Sequence, residues 1–226
     1  MKKLEWDSKF WGINVFHLDK LDFLDFTQLG EKYLLQVLAS VDDLDFIHKL
    51  ENKGFKFHES KVTLFKKRFD KTDLEGFSFK LLTPEDIDKY KKSFWDLFGS
   101  NSRFNIFSYK KVNDFYYTWL VNSMNGEMDD DCIGYFVNNE LAGFVTYKIK
   151  DNAVVIGLLG VLPSFRGRGI SQKLLNYVDN IAFDNSIGVS ISTQGTNLTA
   201  INAYIKNGYY VESIKHWYYL FKGDLK

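Results

Sequence analysis

Alternating apolar and polar residues divide this chain into short segments that predict strands and helices. Runs rich in Val, Ile, Phe and Tyr that are bounded by turn residues predict strands. In the first third of the chain these runs are Ile13–Leu18, Leu34–Val41, Phe55–Phe57 and Val62–Lys66. In the remainder they are Phe77–Leu82, Cys132–Val137, Leu141–Ile149, Ala153–Val161, Ile187–Thr193, Tyr209–Glu212 and Trp217–Phe221.

Start and stop residues mark the helices expected between these strands. Ser40 with Asp43 three residues later resembles a capping box, and the helix that it opens is expected to end at Gly54. Thr83 is a good N-cap because Pro84 and two acidic residues follow it. Further helices are expected at Asn113–Met124, from about Ser171 onward and at Asn197–Asn207. Strands with helices between some of them predict an α/β fold, or an α+β fold with a mixed sheet.

The chain contains an apparent repeat of one strand–helix–strand segment. Gly54 and Phe55 align with Gly208 and Tyr209 at a shift of 154 residues. Either this is a true half-repeat, or two unrelated segments have converged on similar helix caps. The first copy has Leu50 where the second has Tyr204, so a true repeat would be chemically blank in its first half. The polar stretch from 68 to 76 predicts two domains, residues 1–75 and 76–226.

Charge and composition exclude several classes of protein. The 226 residues include 29 Lys+Arg and 29 Asp+Glu, so there is no basic excess to attract nucleic acid or an anionic membrane. The longest apolar run, Ala153–Leu162, is half of the ~20 residues that a membrane-spanning helix needs. A single cysteine, Cys132, excludes an internal disulfide, and four scattered histidines predict no metal site. We therefore expect a cytoplasmic protein.

The stretch from Leu158 to Ser171 is the strongest candidate for chemistry. A strand ends, arginine and glycine alternate, and a helix begins, which is the arrangement of a phosphate-binding loop. Arg166 and Arg168 are two of only four arginines in the chain, which favours fork-shaped contacts to phosphate. The alternative is a solvated turn before a helix. A nucleotide P-loop is excluded because no Gly-Lys pair occurs, and a dinucleotide fingerprint lacks its third glycine.

A second candidate is the helix expected at Asn197–Asn207. Leu198, Ile201 and Ile205 are expected to form its buried stripe. Asn197 and Tyr204 are seven residues apart, so they share a face that could lie along a ligand. The alternative for Tyr204 is a packed core tyrosine with a satisfied hydroxyl.

Together the two motifs resemble the GNAT superfamily of acetyl-CoA-dependent N-acetyltransferases over residues ~77–226. The resemblance implies a GNAT fold, acetyl-CoA as cosubstrate, and Tyr204 as the acid that protonates the departing thiolate. It implies that the backbone at the end of the Ala153–Val161 strand holds the acetyl and pantetheine groups. The cofactor-binding residues implied are Leu159, Val161, Arg166, Gly167, Arg168, Gly169, Ile170, Ser171, Asn197 and Tyr204.

A closer similarity, to the dTDP-fucosamine acetyltransferase family, includes the N-terminal region. It is carried by Trp6-Asp7-Ser8-x-Phe10-Trp11-Gly12, Ser102-Arg103-Phe104, Phe115-Tyr116-x-x-Trp119-x-x-Asn122, Thr193-Gln194-x-x-Asn197 and Val211-Glu212-Ser213. These enzymes acetylate the amine of a nucleotide-linked 4-amino-4,6-dideoxyhexose and carry an N-terminal domain shaped like a truncated GNAT fold. This chain departs from them in its fuller Arg-Gly-Arg-Gly loop, which leaves the sugar undecided.

The acceptor residues implied are Arg103, Thr193 and Gln194, with Glu59 as a base acting through water. Alternatives are a surface ion pair for Arg103 and a solvated strand-end carboxylate for Glu59. The expected partners are acetyl-CoA and a small amine, and a homodimer is left open. Two other functions compete: a GNAT that acetylates a protein N-terminus, an antibiotic or another small amine, and a non-catalytic acetyl-CoA-binding module.

Overall fold

Strands and helices alternate in the computed structural model much as the residue pattern predicts. The structure describes residues 1–21, 29–95, 97–98 and 102–223. In chain order the elements are β1 (Lys2–Lys3), α1 (Glu5–Trp11), β2 (Asn14–Leu18), β3 (Tyr33–Ser40), α2 (Leu44–Asn52), β4 (Lys56–Lys66), β5 (Ser78–Leu81), α3 (Pro84–Asp88), α4 (Lys91–Phe94), α5 (Tyr109–Met124), β6 (Asp131–Val137), β7 (Glu140–Lys150), β8 (Ala153–Val161), a 3₁₀ turn (Pro163–Phe165), α6 (Ile170–Asn185), β9 (Gly188–Gln194), α7 (Leu198–Lys206) and β10 (Tyr210–Lys222). The mixed α/β class predicted from the sequence is confirmed.

The chain forms two compact units that are not continuous in sequence. The first unit contains Met1–Val62, Gln194–Thr196 and Ser213–Lys226, and the second contains Thr63–Thr193 and Asn197–Glu212. Strands β4 and β10 therefore contribute residues to both units. The predicted division into residues 1–75 and 76–226 stays a prediction.

Strand order differs between the two units. In the first unit the order is β1-β2-β3-β10-β4, with β2 parallel to β3 and β3 antiparallel to β10. Its core lies between these strands and α2, where Leu35, Val37, Leu50 and Phe55 are almost completely buried. In the second unit the order is β4-β9-β8-β7-β6-β5, and the β8–β9 pair is parallel whereas β5 to β8 pair antiparallel.

The two repeated segments share their helix caps in detail. After the shift of 154 residues, α2 and α7 have the same bounds and the same length of 9 residues. Asp43 and Asn197 are the N-caps, and their side chains accept backbone N–H bonds at 3.1 and 3.2 Å. The carbonyl groups of Leu50 and Tyr204 accept bonds from the N–H groups five residues later, at 3.0 and 3.1 Å. The similarity seen in the sequence is therefore also a similarity of local structure.

Several local predictions were wrong. Ser40 ends β3, and Asp43 caps α2, so the expected capping box at Ser40 does not form. Each of β4 and β10 was expected as two strands, but each is continuous. Their middles are polar but contain no glycine, proline, asparagine or aspartate, and the strands continue through them. The N-cap predicted at Thr83 is confirmed, and together with Asp86 it forms a capping box.

Within residues 1–21, 29–95, 97–98 and 102–223, no helix combines the length and the apolar character that crossing a membrane requires. The cytoplasmic location expected from the sequence stays a prediction.

Candidate active site

Strands β8 and β9 stop pairing before either strand ends. Their paired residues run from Ala153 opposite Gly188 to Ile156 opposite Ile191, whereas β8 continues to Val161 and β9 to Gln194. The last part of β8 therefore remains paired with β7 on one edge, and its other edge lies beyond the end of the β8–β9 ladder. Such an edge presents backbone groups that a ligand can bind.

The backbone direction of β8 decides which N–H groups face that edge. The N–H groups of Leu158 and Leu162 both donate toward β7, to the Thr146 hydroxyl at 2.8 Å and to the Ala142 carbonyl at 2.9 Å. Because successive N–H groups along a strand point to opposite sides, those of Leu159 and Val161 point away from β7. This is the orientation that their predicted contacts with the acetyl and pantetheine groups require.

The loop after β8 leads directly into the N-terminus of α6. Gly167 and Gly169 have φ angles of +75° and +70°, a region that glycine adopts without strain. Gly169 is the N-cap, no side chain caps the helix, and its first turn contains no acidic residue. The first N–H groups of this 16-residue helix are therefore available to an anion, and the helix dipole favours one.

The side chains of the loop are placed around this N-terminus. Arg166 and Arg168 are exposed; the Arg166 Nε donates to the Val161 carbonyl at 3.4 Å, and the Arg168 guanidinium lies 5.4 Å from the centre of the Phe165 ring. Ile170 is buried and anchors the first turn of α6, and Ser171 is half-buried. The loop thus carries two cations beside an uncapped helix, which suits the phosphates of acetyl-CoA.

Tyr204 occupies the buried face of α7. Its side chain is 6% exposed, and its ring centre lies 6.2 Å from that of Tyr209. Burial raises the pKa of the Tyr204 phenol, so the hydroxyl keeps its proton at neutral pH.

The expected aliphatic stripe of α7 was wrong. Leu198 is 65% and Ile205 49% exposed, and Ile201 is half-buried. The helix has nine residues, or about two and a half turns. Its buried face is centred on Tyr204, and the aliphatic side chains lie at the margins of that face.

Asn197 and Thr193 are brought into contact at the start of α7. Asn197 is the N-cap: its Oδ1 accepts from the Ala200 N–H, and its Nδ2 donates to the Thr193 Oγ1 at 3.1 Å. Both side chains are half-buried. Asn197 is therefore engaged in capping, and its predicted role in cofactor binding stays a prediction.

Glu59 and Gln194 lie in the first unit. The Glu59 carboxylate accepts from its neighbour Ser60 N–H at 2.8 Å and from the Thr196 hydroxyl at 3.4 Å. Gln194 is the last residue of β9 and is half-buried, and the next residue, Gly195, donates its N–H to the Ser60 carbonyl at 2.7 Å. These bonds orient Glu59 and leave its role as a base a prediction.

Arg103 lies between α4 and α5 in the second unit. Its guanidinium carbon lies 4.0 Å from the centre of the Phe104 ring, and the side chain is half-buried. Ser102 beside it hydrogen-bonds the Tyr116 hydroxyl at 3.0 Å. An arginine held over an aromatic ring can still present its fork to a phosphate. The predicted acceptor contact of Arg103 stays a prediction.

Three buried residues complete this description. Burial raises the pKa of the Cys132 thiol far above its usual range, so the thiol stays protonated at neutral pH. Sequence reasoning missed Asp129 and Thr146, which hydrogen-bond each other beside the first residues of β8 that lie beyond its ladder with β9. The available signal was Gly157, since an isolated glycine in a strand pattern indicates a bulge.

Comparison with known families agrees with this geometry. The model of the acetyltransferase (GNAT) family matches residues 92–209, which include the glycine loop and Tyr204. The chain belongs to the GNAT acetyltransferase family. This membership confirms the prediction of an acyltransferase that uses acetyl-CoA.

Named relatives of this GNAT chain include enzymes with sugar-related names. It is 25% identical to the dTDP-fucosamine acetyltransferase of Escherichia coli over 97% of both chains. It is 26% identical to the spore coat polysaccharide biosynthesis protein SpsD of Bacillus subtilis over 50% of this chain and 39% of SpsD. The match with SpsD thus spans well under half of that relative.

The fold has clear counterparts among solved structures. A GCN5-related N-acetyltransferase from Sphaerobacter thermophilus is similar with a TM-score of 0.62 and 15% identity. The similarity covers 86% of this chain and 62% of that one. Because the identity is so low, it supports the fold alone.

Proposed function

We propose that this protein transfers the acetyl group of acetyl-CoA directly to the amine of a nucleotide-linked amino-dideoxy sugar. The observation that carries the proposal is the match to a dTDP-fucosamine acetyltransferase along 97% of both chains, which includes the first unit. The exposed glycine–arginine loop at the uncapped start of α6 would hold the phosphates of acetyl-CoA.

The reaction needs a neutral amine and a polarised thioester. The amine nitrogen attacks the thioester carbon, forming the C–N bond, while the carbonyl oxygen gains negative charge. An N–H group of Leu159 or Val161 would stabilise that charge, as backbone donors do in an oxyanion hole. The C–S bond then breaks, and the leaving sulfur takes the proton of the Tyr204 hydroxyl.

The proton balance assigns a role to Glu59. An amine that arrives protonated gives up one proton before it attacks, and we assign that proton to Glu59 through water. The nitrogen loses a second proton to solvent as the amide forms. Glu59 then releases its proton to solvent and Tyr204 recovers one from solvent, which restores the enzyme. Most of the rate enhancement would come from holding the amine and the thioester in attack geometry.

The proposal is tested by assaying CoA release and product mass with matched acceptors. The nucleotide-linked 4-amino-4,6-dideoxy sugar should be acetylated at least 100-fold more efficiently, in kcat/KM, than the same amino sugar without its nucleotide. A peptide with a free N-terminus and an antibiotic amine serve as controls. Preference for either control over the nucleotide-linked sugar would refute the assigned acceptor. Acetyl-CoA binding without transfer to any of these amines would favour a binding module.

A variant pair tests Glu59 in the same assay. Glu59→Gln keeps the size of the side chain and removes its charge, so kcat/KM for the acceptor should fall, most strongly at low pH where the amine arrives protonated. Affinity for acetyl-CoA should not change. Glu75→Gln, a change of an exposed glutamate in the second unit, is the control. Equal activity of both variants would remove Glu59 from the mechanism.

A further inference from the structure

A β-bulge lies at the start of the ligand-facing part of β8. Before it, Ile156 is opposite Tyr147, and after it, Leu159 is opposite Val145. Thr146 of β7 therefore faces two residues of β8, Gly157 and Leu158. One inserted residue changes which N–H groups face β7 and which face the other edge. The bulge thus decides that the N–H groups of Leu159 and Val161 point away from β7.

The bulge is closed by a side chain instead of a backbone carbonyl. The Thr146 Oγ1 accepts the Leu158 N–H at 2.8 Å, in the place where a regular ladder would supply a carbonyl. The same hydroxyl donates a hydrogen bond to the Asp129 Oδ2 at 2.7 Å. Thr146 is completely buried, so water does not compete for either bond. Its hydroxyl can accept from one group and donate to the other at once.

The Asp129 carboxylate orients the Thr146 hydroxyl by accepting its hydrogen bond. The carboxylate lies in the loop between α5 and β6, and its side chain is 0% exposed. Its Oδ2 also accepts from Trp119 Nε1 at 3.3 Å and from Ser123 Oγ at 2.8 Å, both on α5. Lys148 Nζ lies 3.5 Å from Oδ1, which has no hydrogen-bond partner of its own. Burial of a carboxylate is costly, and these hydrogen bonds together with the nearby Lys148 ammonium offset part of that cost.

Gly157 is part of the same arrangement. A Cβ at this position would collide with the Asp129 carboxylate, whose Cγ would lie 2.8 Å away. The φ angle of Gly157 is not in the left-handed region, so the requirement for glycine is the space taken by Asp129. The carboxylate therefore packs directly against the inserted backbone of β8.

We infer that Asp129 and Thr146 are positioning residues that set the direction of the Leu159 and Val161 N–H groups toward the acetyl-CoA thioester. The inference rests on the proposed function, because those N–H groups matter only if they bind this ligand. Asp129 orients the Thr146 hydroxyl, the hydroxyl fixes the Leu158 N–H, and the bulge then fixes the next two donors. Neither side chain touches the reacting atoms.

The test separates positioning from simple stabilisation. Thr146→Val keeps the shape and removes the hydroxyl, so kcat should fall about 10- to 100-fold, because the donors would be misplaced and not removed. The Kd for CoA without an acetyl group should stay within about threefold, since its phosphates bind at α6. Thr146→Ser retains the hydroxyl and should restore kcat to within about threefold of the parent. Thr118→Val removes a hydroxyl that donates to the Asp114 carbonyl in α5, and is the matched control.

The outcomes distinguish this inference from the proposed function. A folded Thr146→Val protein with the kcat of Thr118→Val overturns the inference. So does a loss of kcat that is matched by an equal loss of CoA affinity, or that Thr146→Ser does not reverse. If Thr146→Val does not fold, Thr146→Ala, which removes the same hydroxyl, is judged by the same split between kcat and CoA affinity. A parent protein that binds no acetyl-CoA overturns the proposed function and this inference with it.

Discussion

Tyr204 is a buried tyrosine whose hydroxyl group stays protonated at neutral pH. Burial raises the pKa of its phenol, and the ring lies on the face of α7 that packs against the second unit. The same position in the first copy of the repeat is Leu50, which is completely buried and has no proton to donate. At the scale of single residues, only the second copy has a hydroxyl at this position, although the caps of both helices make the same backbone bonds.

Replacement of Tyr204 by Phe tests its role as the general acid. We expect kcat to fall by ~10²–10⁴, the usual contribution of a positioned acid, while KM for acetyl-CoA changes little. Tyr210→Phe, which removes a hydroxyl from a tyrosine that is 52% exposed, is the control. Steady-state and single-turnover rates measure the effect. An unaltered kcat with the chemical step rate-limiting would exclude Tyr204 as the acid.

The start of α6 depends on two glycines whose space is open. A Cβ at Gly169 would meet nothing within 4 Å, so its φ of +70° alone makes a side chain unfavourable. A substituted residue would leave this region and move the N–H groups of the helix start. The proposed anion site therefore depends on backbone geometry as well as on the two arginines beside it.

Gly169→Val should weaken CoA binding by more than 10-fold, because a β-branched residue cannot hold the left-handed conformation without ~1–3 kcal/mol of strain. Gly126→Val is a matched control in the same unit, since Gly126 has a φ of +73° and also has open space around it. Calorimetric titration with CoA measures both. Equal CoA affinity in the two variants would show that the loop does not bind the phosphates.

The start of α3 gives a pH-dependent prediction. The hydrogen bond from Lys80 at 2.7 Å, followed by the backbone bond from Thr83, lowers the pKa of the Asp86 carboxyl below its ordinary value of 3.8. A carboxyl whose pKa is lower in the folded state stabilises the protein above pH 3.8, and this stabilisation is lost as the pH falls through the folded pKa.

Asp86→Asn should therefore lower the free energy of unfolding by about 0.5–1 kcal/mol at pH 7, typical of a cap with a partly exposed ion pair. The difference from the parent should disappear as the pH falls below about 4. Asp70→Asn, at an exposed loop position, is the control. Denaturant unfolding at several pH values measures the effect, and a difference that persists at low pH would contradict the assigned cause.

At the scale of the whole molecule, the C-terminal strand depends on the first unit. Residues Lys215 to Lys222 of β10 pair with Ser40 to Tyr33 of β3, and Tyr218 and Tyr219 are buried. A chain that starts at residue 76 would retain β10 but lose this partner. Its exposed strand edge would then be a template for aggregation.

We expect the fragment 76–226 to be insoluble or to melt well below the full chain, although it contains the glycine loop and Tyr204. Circular dichroism and thermal denaturation of both proteins test this. A soluble fragment with the melting temperature of the full chain would support an independent domain at residues 76–226. The opposite result would show that residues 76–226 do not fold independently of the rest of the chain.

The sequence by itself determined the chemistry that lies in short segments. Left-handed glycines, an uncapped helix start and the spacing of Asn197 and Tyr204 are local features, because a few neighbouring residues fix the backbone there. Through the resemblance of these segments to the GNAT superfamily the sequence predicted the family and acetyl-CoA, and the alternation of strands and helices predicted the mixed sheet. The positions of most strands along the chain, and the residues at which the last two helices begin, followed from the same local patterns.

Tertiary structure alone decided what depends on residues far apart in the chain. Thr146, Gly157 and Asp129 have no shared sequence pattern, and only the pairing of β7 with β8 brings them together. Which face of α7 is buried was likewise set by the neighbouring elements, so that Leu198 is exposed and Tyr204 is not. The continuous course of β10 depends on its partner strand β3, since Lys215 pairs with Ser40, which lies 175 residues earlier in the chain. Pairing and burial are properties of the folded chain, which is why local periodicity could not specify them.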